Sequence, residues 1–190
     1  MRPLFVVLIA GGLGAACARP AAPSDVRGNI DVMRRESTVD KLIDRGAGFA
    51  SVGDLTRAEQ YLAAALERGG DPDKIVPLLL RVCVEAEKFR VAADYARDYL
   101  RKHPDDARLR MLLGSLEAAT GNPKAAIAEM RWVVDREPAN ADAHFELARY
   151  LRDGEADPEG ADLHFREYLR LTPAGSRAAE ARAALLKGMP

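Results

Sequence analysis

The residues able to do chemistry in this chain are few and scattered. Three histidines, His103, His144 and His164, could hold a metal or move a proton. They have neither metal-ligand spacing nor a nearby thiol or paired-acid pattern. Of the two cysteines, Cys83 falls inside an apolar run, Val82-Cys83-Val84. It reads as a small buried residue rather than a reactive thiol, and a disulfide to Cys17 is not expected. The sequence holds no nucleophile-elbow serine, phosphate-cradling glycine loop or dinucleotide fingerprint. Glu117 interrupts an otherwise apolar run. It reads as a side chain that snorkels to solvent, with a buried functional carboxylate as the alternative. No catalytic residue, metal site or cofactor is assigned, and the chain is expected not to be an enzyme.

The elements that must position these residues are helices. Of 190 residues, 48% are hydrophobic but only 6% aromatic, so a core would be built from Ala and Leu rather than rings. Helix formers dominate and few runs alternate with the strand period, which predicts an all-α fold. The plainest unit is Ala107 to Asn140. Gly121-Asn122-Pro123 breaks one apolar run, Ala126, Met130 and Val133-Val134 form the stripe of a second, and Pro138 stops it. The same plan recurs every thirty-four residues: Gly46, Leu80, Gly114 and Ala148 in the first helices, Ala58, Ala92 and Ala126 in the second. Ala161 follows one place late, as do Phe165, Leu169 and Pro173, so one residue is inserted between Gly154 and Pro158.

This pattern resembles the tetratricopeptide repeat (TPR), with a small residue inside its first helix, an Ala inside its second and a Pro at its end. The resemblance implies a right-handed TPR solenoid of four helix-turn-helix repeats over residues 37–174, closed by a capping helix at 175–188. Small residues let paired helices approach, and each pair needs its neighbours to bury an apolar stripe. In repeat one, Asp54 is the expected cap of the second helix; in repeat three it is Asn122 with Pro123 at the first helical position. Pro77 in repeat two is placed near a helix start, where a missing N–H costs little. Proteins of this family bind through a concave groove lined by the first helices. Projected onto this chain, that groove presents Arg81, Glu85, Arg108, Met111, Ser115, Phe145, Arg149 and Arg152. Met111 and Phe145 would hold an apolar anchor while the arginines pair with carboxylates of a protein partner. The Lys and Asn arrangement of the carboxylate-clamp subfamily is not reproduced, and the lone Trp132 reads as a packed or half-exposed residue of a second helix.

The N-terminus has a separate logic. Met1-Arg2-Pro3 is a short positive start and Leu4 to Ala16 an uncharged apolar run of signal-peptide length, too short to be a folded membrane span. Leu13-Gly14-Ala15-Ala16-Cys17 resembles the lipobox of bacterial lipoproteins, with Gly14 where the family usually has Leu. The resemblance implies a signal peptide over 1–16 and a covalent lipid on Cys17; an ordinary secretory signal cleaved near Ala16 or Ala18 is the alternative. Residues 17–36 read as a flexible tether spanning about 25 Å. Ala18 is not the Asp typical of inner-membrane retention, so the analogy favours the outer membrane, with the repeats in the periplasm. Cleavage would remove Arg2 from 28 basic residues and nothing from 29 acidic ones. No basic excess then favours nucleic acid, and membrane attachment would come from the lipid. The expectation is a non-enzymatic, lipid-anchored scaffold for an envelope protein, similar to lipoproteins that assist assembly of outer-membrane complexes such as type IV pilus secretins. It would take no small-molecule substrate. The alternative is an accessory factor in cell-wall or exopolysaccharide biogenesis, although such grooves usually present stacked rings.

Overall fold

The computed structural model describes residues 38–186, which form nine helices and no strand. Cys17 and the segments 1–16 and 17–36 lie outside the described residues. The helices are α1 (Val39–Ser51), α2 (Leu55–Glu67), α3 (Pro72–Glu85), α4 (Phe89–Leu100), α5 (Ala107–Ala119), α6 (Pro123–Arg136), α7 (Ala141–Gly154), α8 (Pro158–Leu171) and α9 (Ala178–Ala184). Their starts follow from short polar side chains. Asp54, Asp71, Asp106, Asn140 and Asp157 each accept a backbone N–H from the first turn they precede. Pro72, Pro123 and Pro158 occupy first positions, where no N–H is needed.

Each helix packs on the next along the chain, the arrangement of a solenoid in which stability comes from neighbours. The recurring positions carry that packing. Leu80, Ala148, Ala58, Ala92, Ala126 and Ala161 are all buried. At Gly114 an added Cβ would fall 2.5 Å from Met130 Cε, and at Gly46 it would fall 2.6 Å from Leu62 Cγ. A larger side chain at Gly46 would press on the branch point of Leu62, and at Gly114 it would require the end of Met130 to turn aside. In repeat two the sizes are exchanged: Leu80 sits on the first helix and Ala96, fully buried, takes the place that Leu62 and Met130 hold elsewhere.

The inserted residue is visible in the turns. Within the first three repeats the second helix is entered through an N–H bonded five residues back: Asp54 to Phe49, Lys88 to Cys83, Asn122 to Glu117. In repeat four the Asp157 N–H reaches the Leu151 carbonyl, six residues back, at 3.0 Å. Each of these four turns within a repeat has one residue in the left-handed region. Gly53 and Gly121 take it in repeats one and three, whereas Glu87 (φ 55°) and Ala156 (φ 52°) take it in two and four.

Four expectations differ from the structure, those for Glu117, Asn122, Pro77 and the closing helix. Glu117 does not reach solvent; it is 5% exposed, because its register is that of the buried Cys83 and Leu151. Arg97 donates from Nε and Nη2 to its Oε1 at 3.1 and 2.9 Å, and Asn122 Nδ2 donates to Oε2 at 3.0 Å. Asn122 therefore stands at the cap of α6 without using its side chain as one. Pro77 is not at a helix start, since α3 begins at Pro72; it has no N–H to give the Asp73 carbonyl. The closing helix is shorter than residues 175–188. Turns occupy the chain up to Arg177, and Leu185 is already extended. Its buried face is Ala178 and Ala181, and its far end is tied down by the Leu186 N–H, which donates to Asp162 Oδ1 of α8 at 2.8 Å.

Candidate functional site

The first-helix positions projected as a groove fall into five environments. Arg81 on α3 and Arg108 on α5 are exposed and line one hollow of about 650 Å³ between those helices. Its apolar wall is Val76, Leu80, Val84, Leu109 and Leu112. Val84 is 38% exposed, one of three large apolar side chains so open among the described residues. Neither arginine has a carboxylate at ion-pairing distance among the described residues. Glu85 is exposed one turn beyond Arg81 and is not part of the hollow's lining.

Met111 and Ser115 lie farther along α5. Met111 is half-buried against the core of repeats three and four, with Asn140 Nδ2 at 3.6 Å from its sulfur. The Ser115 hydroxyl donates to the Met111 carbonyl at 3.0 Å. Arg149 and Arg152 on α7 are engaged within the protein. Arg149 pairs with Glu146 at 2.9 Å, and Glu146 is shared with Arg177 at 2.6 Å. Arg152 holds Asp153 through two nitrogens at 2.6 and 3.0 Å, which lowers the Asp153 carboxyl.

Phe145 is not a groove residue. It is 1% exposed and meets Phe165 and Tyr168 edge-on, with centroids at 5.5 and 5.1 Å, and Arg177 closes over its ring at 4.8 Å. Three residues before the crossing residue Ala148, it shares the face that packs inward. Phe145 is therefore not open to hold an apolar anchor, and the open apolar wall is the one beside repeat two.

Several lining residues were not picked out by the projection, Tyr99 above all. Tyr95, Tyr99 and His103 recur every four residues along and just beyond α4, and that stripe was the signal available. Tyr99 donates its hydroxyl to Asp73 Oδ1 at 2.9 Å, which raises its pKa because the bond favours the protonated phenol. The His103 ring stacks on Tyr99 with centroids 4.0 Å apart. On the far side of Tyr99 is a second hollow of about 500 Å³, whose lining includes Leu66, Tyr95 and Lys102 and shares Val76 and Tyr99 with the first.

The other reactive types are accounted for by packing. Burial, with the Glu59 charge adding, pushes the Cys83 thiol up to about 11, so it is an inert small residue near neutral pH. His144 and His164 meet with Nδ1 atoms 3.0 Å apart, an approach across α7 and α8 that their sequence spacing hides. His144 Nε2 faces the Pro138 carbonyl at 3.1 Å, so in its neutral form it is a donor there and an acceptor toward His164. Burial first, then the His144 and Arg131 charges, lowers His164. No group of three metal-binding side chains occurs among the described residues, and none of their helices is long and apolar enough to cross a membrane.

A family model described as tetratricopeptide repeat matches residues 80–131 and 116–176. No curated protein matches the chain. Among solved structures, YrrB, described as a TPR protein with an unusual peptide-binding site, superposes with a TM-score of 0.68 at 17% identity, covering 83% of this chain and 87% of that one. A tetratricopeptide repeat protein from Parabacteroides merdae gives 0.66 at 20% identity, over 77% of this chain and 58% of that one. MamA gives 0.64 at 19% identity, over 77% and 79%. At these identities the likeness is one of fold.

Proposed function

We propose that this chain, which belongs to the tetratricopeptide repeat family, is a non-enzymatic scaffold that holds a protein partner in the hollow between α3 and α5. Proteins of this fold are in general interaction scaffolds. The observation that carries the reading is an open apolar wall beside two arginines, Arg81 and Arg108, that no carboxylate of the described protein satisfies. Groups left in that state are suited to a partner's apolar side chain and carboxylate together. The neighbour YrrB is described as having a peptide-binding site, and a peptide segment is the ligand class we assign here.

Cys17, at the end of a lipobox-like run, would carry the lipid, and the repeats would stand in the periplasm at the outer membrane. The partner would then be an envelope protein, with a secretin of the type IV pilus kind as one such assembly. Mass spectrometry of the mature N-terminus should find acyl chains on Cys17; an unmodified chain starting elsewhere removes the anchor. Photo-crosslinking in cells from position 84 should capture one dominant envelope protein, and the Arg81→Glu, Arg108→Glu double variant should lose it. Undiminished capture by that variant would show that the hollow is not the binding surface.

A further inference from the structure

Resting on that reading, we infer that the partner segment is acidic and extended, and that it crosses Tyr99 to place one apolar side chain in each of the two hollows. The hollows are continuous in their lining, since Val76 and Tyr99 belong to both. A chain seated against Leu80 and Leu109 therefore meets Tyr99 as a ridge and descends toward Leu66 and Tyr95. Tyr99 is held upright for this: its hydroxyl is fixed by Asp73 and its ring is backed by His103.

Charge selects the occupant. Of the residues lining the two hollows, Asp98 and Asp106 are the carboxylates and Arg81, Arg108, Arg101 and Lys102 the cations, so positive charge is in excess, with Glu85 outside the lining. Asp73 accepts from Tyr99, Asp98 pairs with Arg101 at 3.0 Å, and Asp106 accepts the Leu109 N–H at 2.9 Å as a helix cap. The cations are not equally committed: Arg81 and Arg108 at the first hollow and Lys102 at the second have no ion-pair partner among the described residues. The surface thus joins two apolar depressions to an unbalanced positive rim. A neutral apolar segment would leave that charge unanswered, and a basic one would be repelled. An extended segment alternating apolar residues with Asp or Glu satisfies both features.

A randomised, unstructured nine-residue peptide library displayed on phage and selected against the intact protein tests this directly. Enrichment of two apolar residues separated by a short spacer and flanked by Asp or Glu is expected. Synthetic peptides from that pool should bind about tenfold or more weakly to the Arg81→Glu, Arg108→Glu variant, and selection against that variant should favour Lys or Arg instead. Lys102→Glu should weaken the same peptides several-fold, because the second hollow is part of the track. Unchanged binding to Lys102→Glu would confine the site to one hollow and overturn the two-hollow track. Selected peptides without acidic bias, or indifferent to the double variant, would overturn the acidic assignment. Selected peptides without acidic bias that still compete with the partner captured from position 84 would overturn this inference and leave the scaffold reading standing, so the two failures are separable. Circular dichroism and melting of each variant should match wild type, since none of the three side chains has an ionic partner to lose.

Discussion

In repeat three, Gly114 on the first helix lets Met130 of the second come close; in repeat two the bulk is on the first helix as Leu80, and Ala96 of the second makes room. The two solutions fill a similar volume, so the crossing is served equally well by either. They differ in where the apolar atoms end up. Leu80 fills the crossing and also walls the hollow beside α5, as does Pro77, the other residue of α3 that departs from the repeat's pattern. Two of the departures of repeat two, Pro77 and Leu80, border the candidate site; a third, Glu87, lies in its turn. Local departures of this kind are expected where a sequence serves a surface as well as a core.

The largest test of that exchange is to give repeat three the residue of repeat two. Gly114→Leu drives a side chain into Met130 and toward the Ala126 carbonyl, and should cost about 3 kcal/mol. Adding Met130→Ala, the partner that repeat two uses, should recover more than half of the loss. Urea unfolding followed by Trp132, stacked between Arg110 at 4.1 Å and Arg136 at 4.7 Å, reports on this repeat. A double variant no more stable than the single would show that the two crossings are not equivalent.

Next in size is Glu117, whose counterpart in repeat two is Cys83. Glu117→Ala removes the acceptor of Arg97 and Asn122 and should cost about 2 kcal/mol, since bonds to charged groups contribute more than neutral ones. Glu117→Leu, which copies Leu151 of repeat four, should cost under about 1 kcal/mol, because Arg97 and Asn122 can turn to water while the buried register is filled. Equal losses in both variants would mean that the ion pair, not the filling of space, joins α4 to α5.

The sequence was informative where one residue type has one use. Small residues every thirty-four positions have no better explanation than close helix crossings, and at both glycine crossings an added Cβ would force the side chain opposite to shift. The insertion before Pro158 was readable for the same reason, since every later match slipped together. Surface roles were less legible, because a helix face does not reveal what covers it. Phe145 is covered by Arg177, which comes from a turn beyond repeat four and so lies far from it in sequence. Arg149 and Arg152 resembled Arg81 and Arg108 in sequence, yet the first pair is satisfied by Glu146 and Asp153. Glu117 is buried because its helical register, not its charge, sets its surroundings. The pairing of His144 with His164 depends on the relative rotation of two helices, which spacing alone does not fix.

A smaller effect distinguishes the turns. Repeat two takes its left-handed residue from Glu87, where repeat three uses Gly121. Glu87→Gly should raise stability by about 0.5 to 1 kcal/mol, the relief of the Cβ being partly offset by the freer unfolded chain. Gly121→Ala should lose a similar amount. Urea midpoints that move in the same direction for both would show that the two turns do not carry equivalent conformations.

The smallest change in stability belongs to the rim of the hollow, and there its smallness is the point. Arg97 and Arg81 are both exposed arginines, but Arg97 is bonded to Glu117 and Asp94 whereas Arg81 is bonded to neither acid nor carbonyl among the described residues. Arg97→Gln should therefore shift the urea midpoint downward, while Arg81→Gln and Arg108→Gln should change stability by less than about 0.5 kcal/mol. The rim variants should instead lose affinity for acidic peptides. If either proved as destabilising as Arg97→Gln, that arginine would have a structural duty, and its position beside an open apolar wall would no longer argue for a partner.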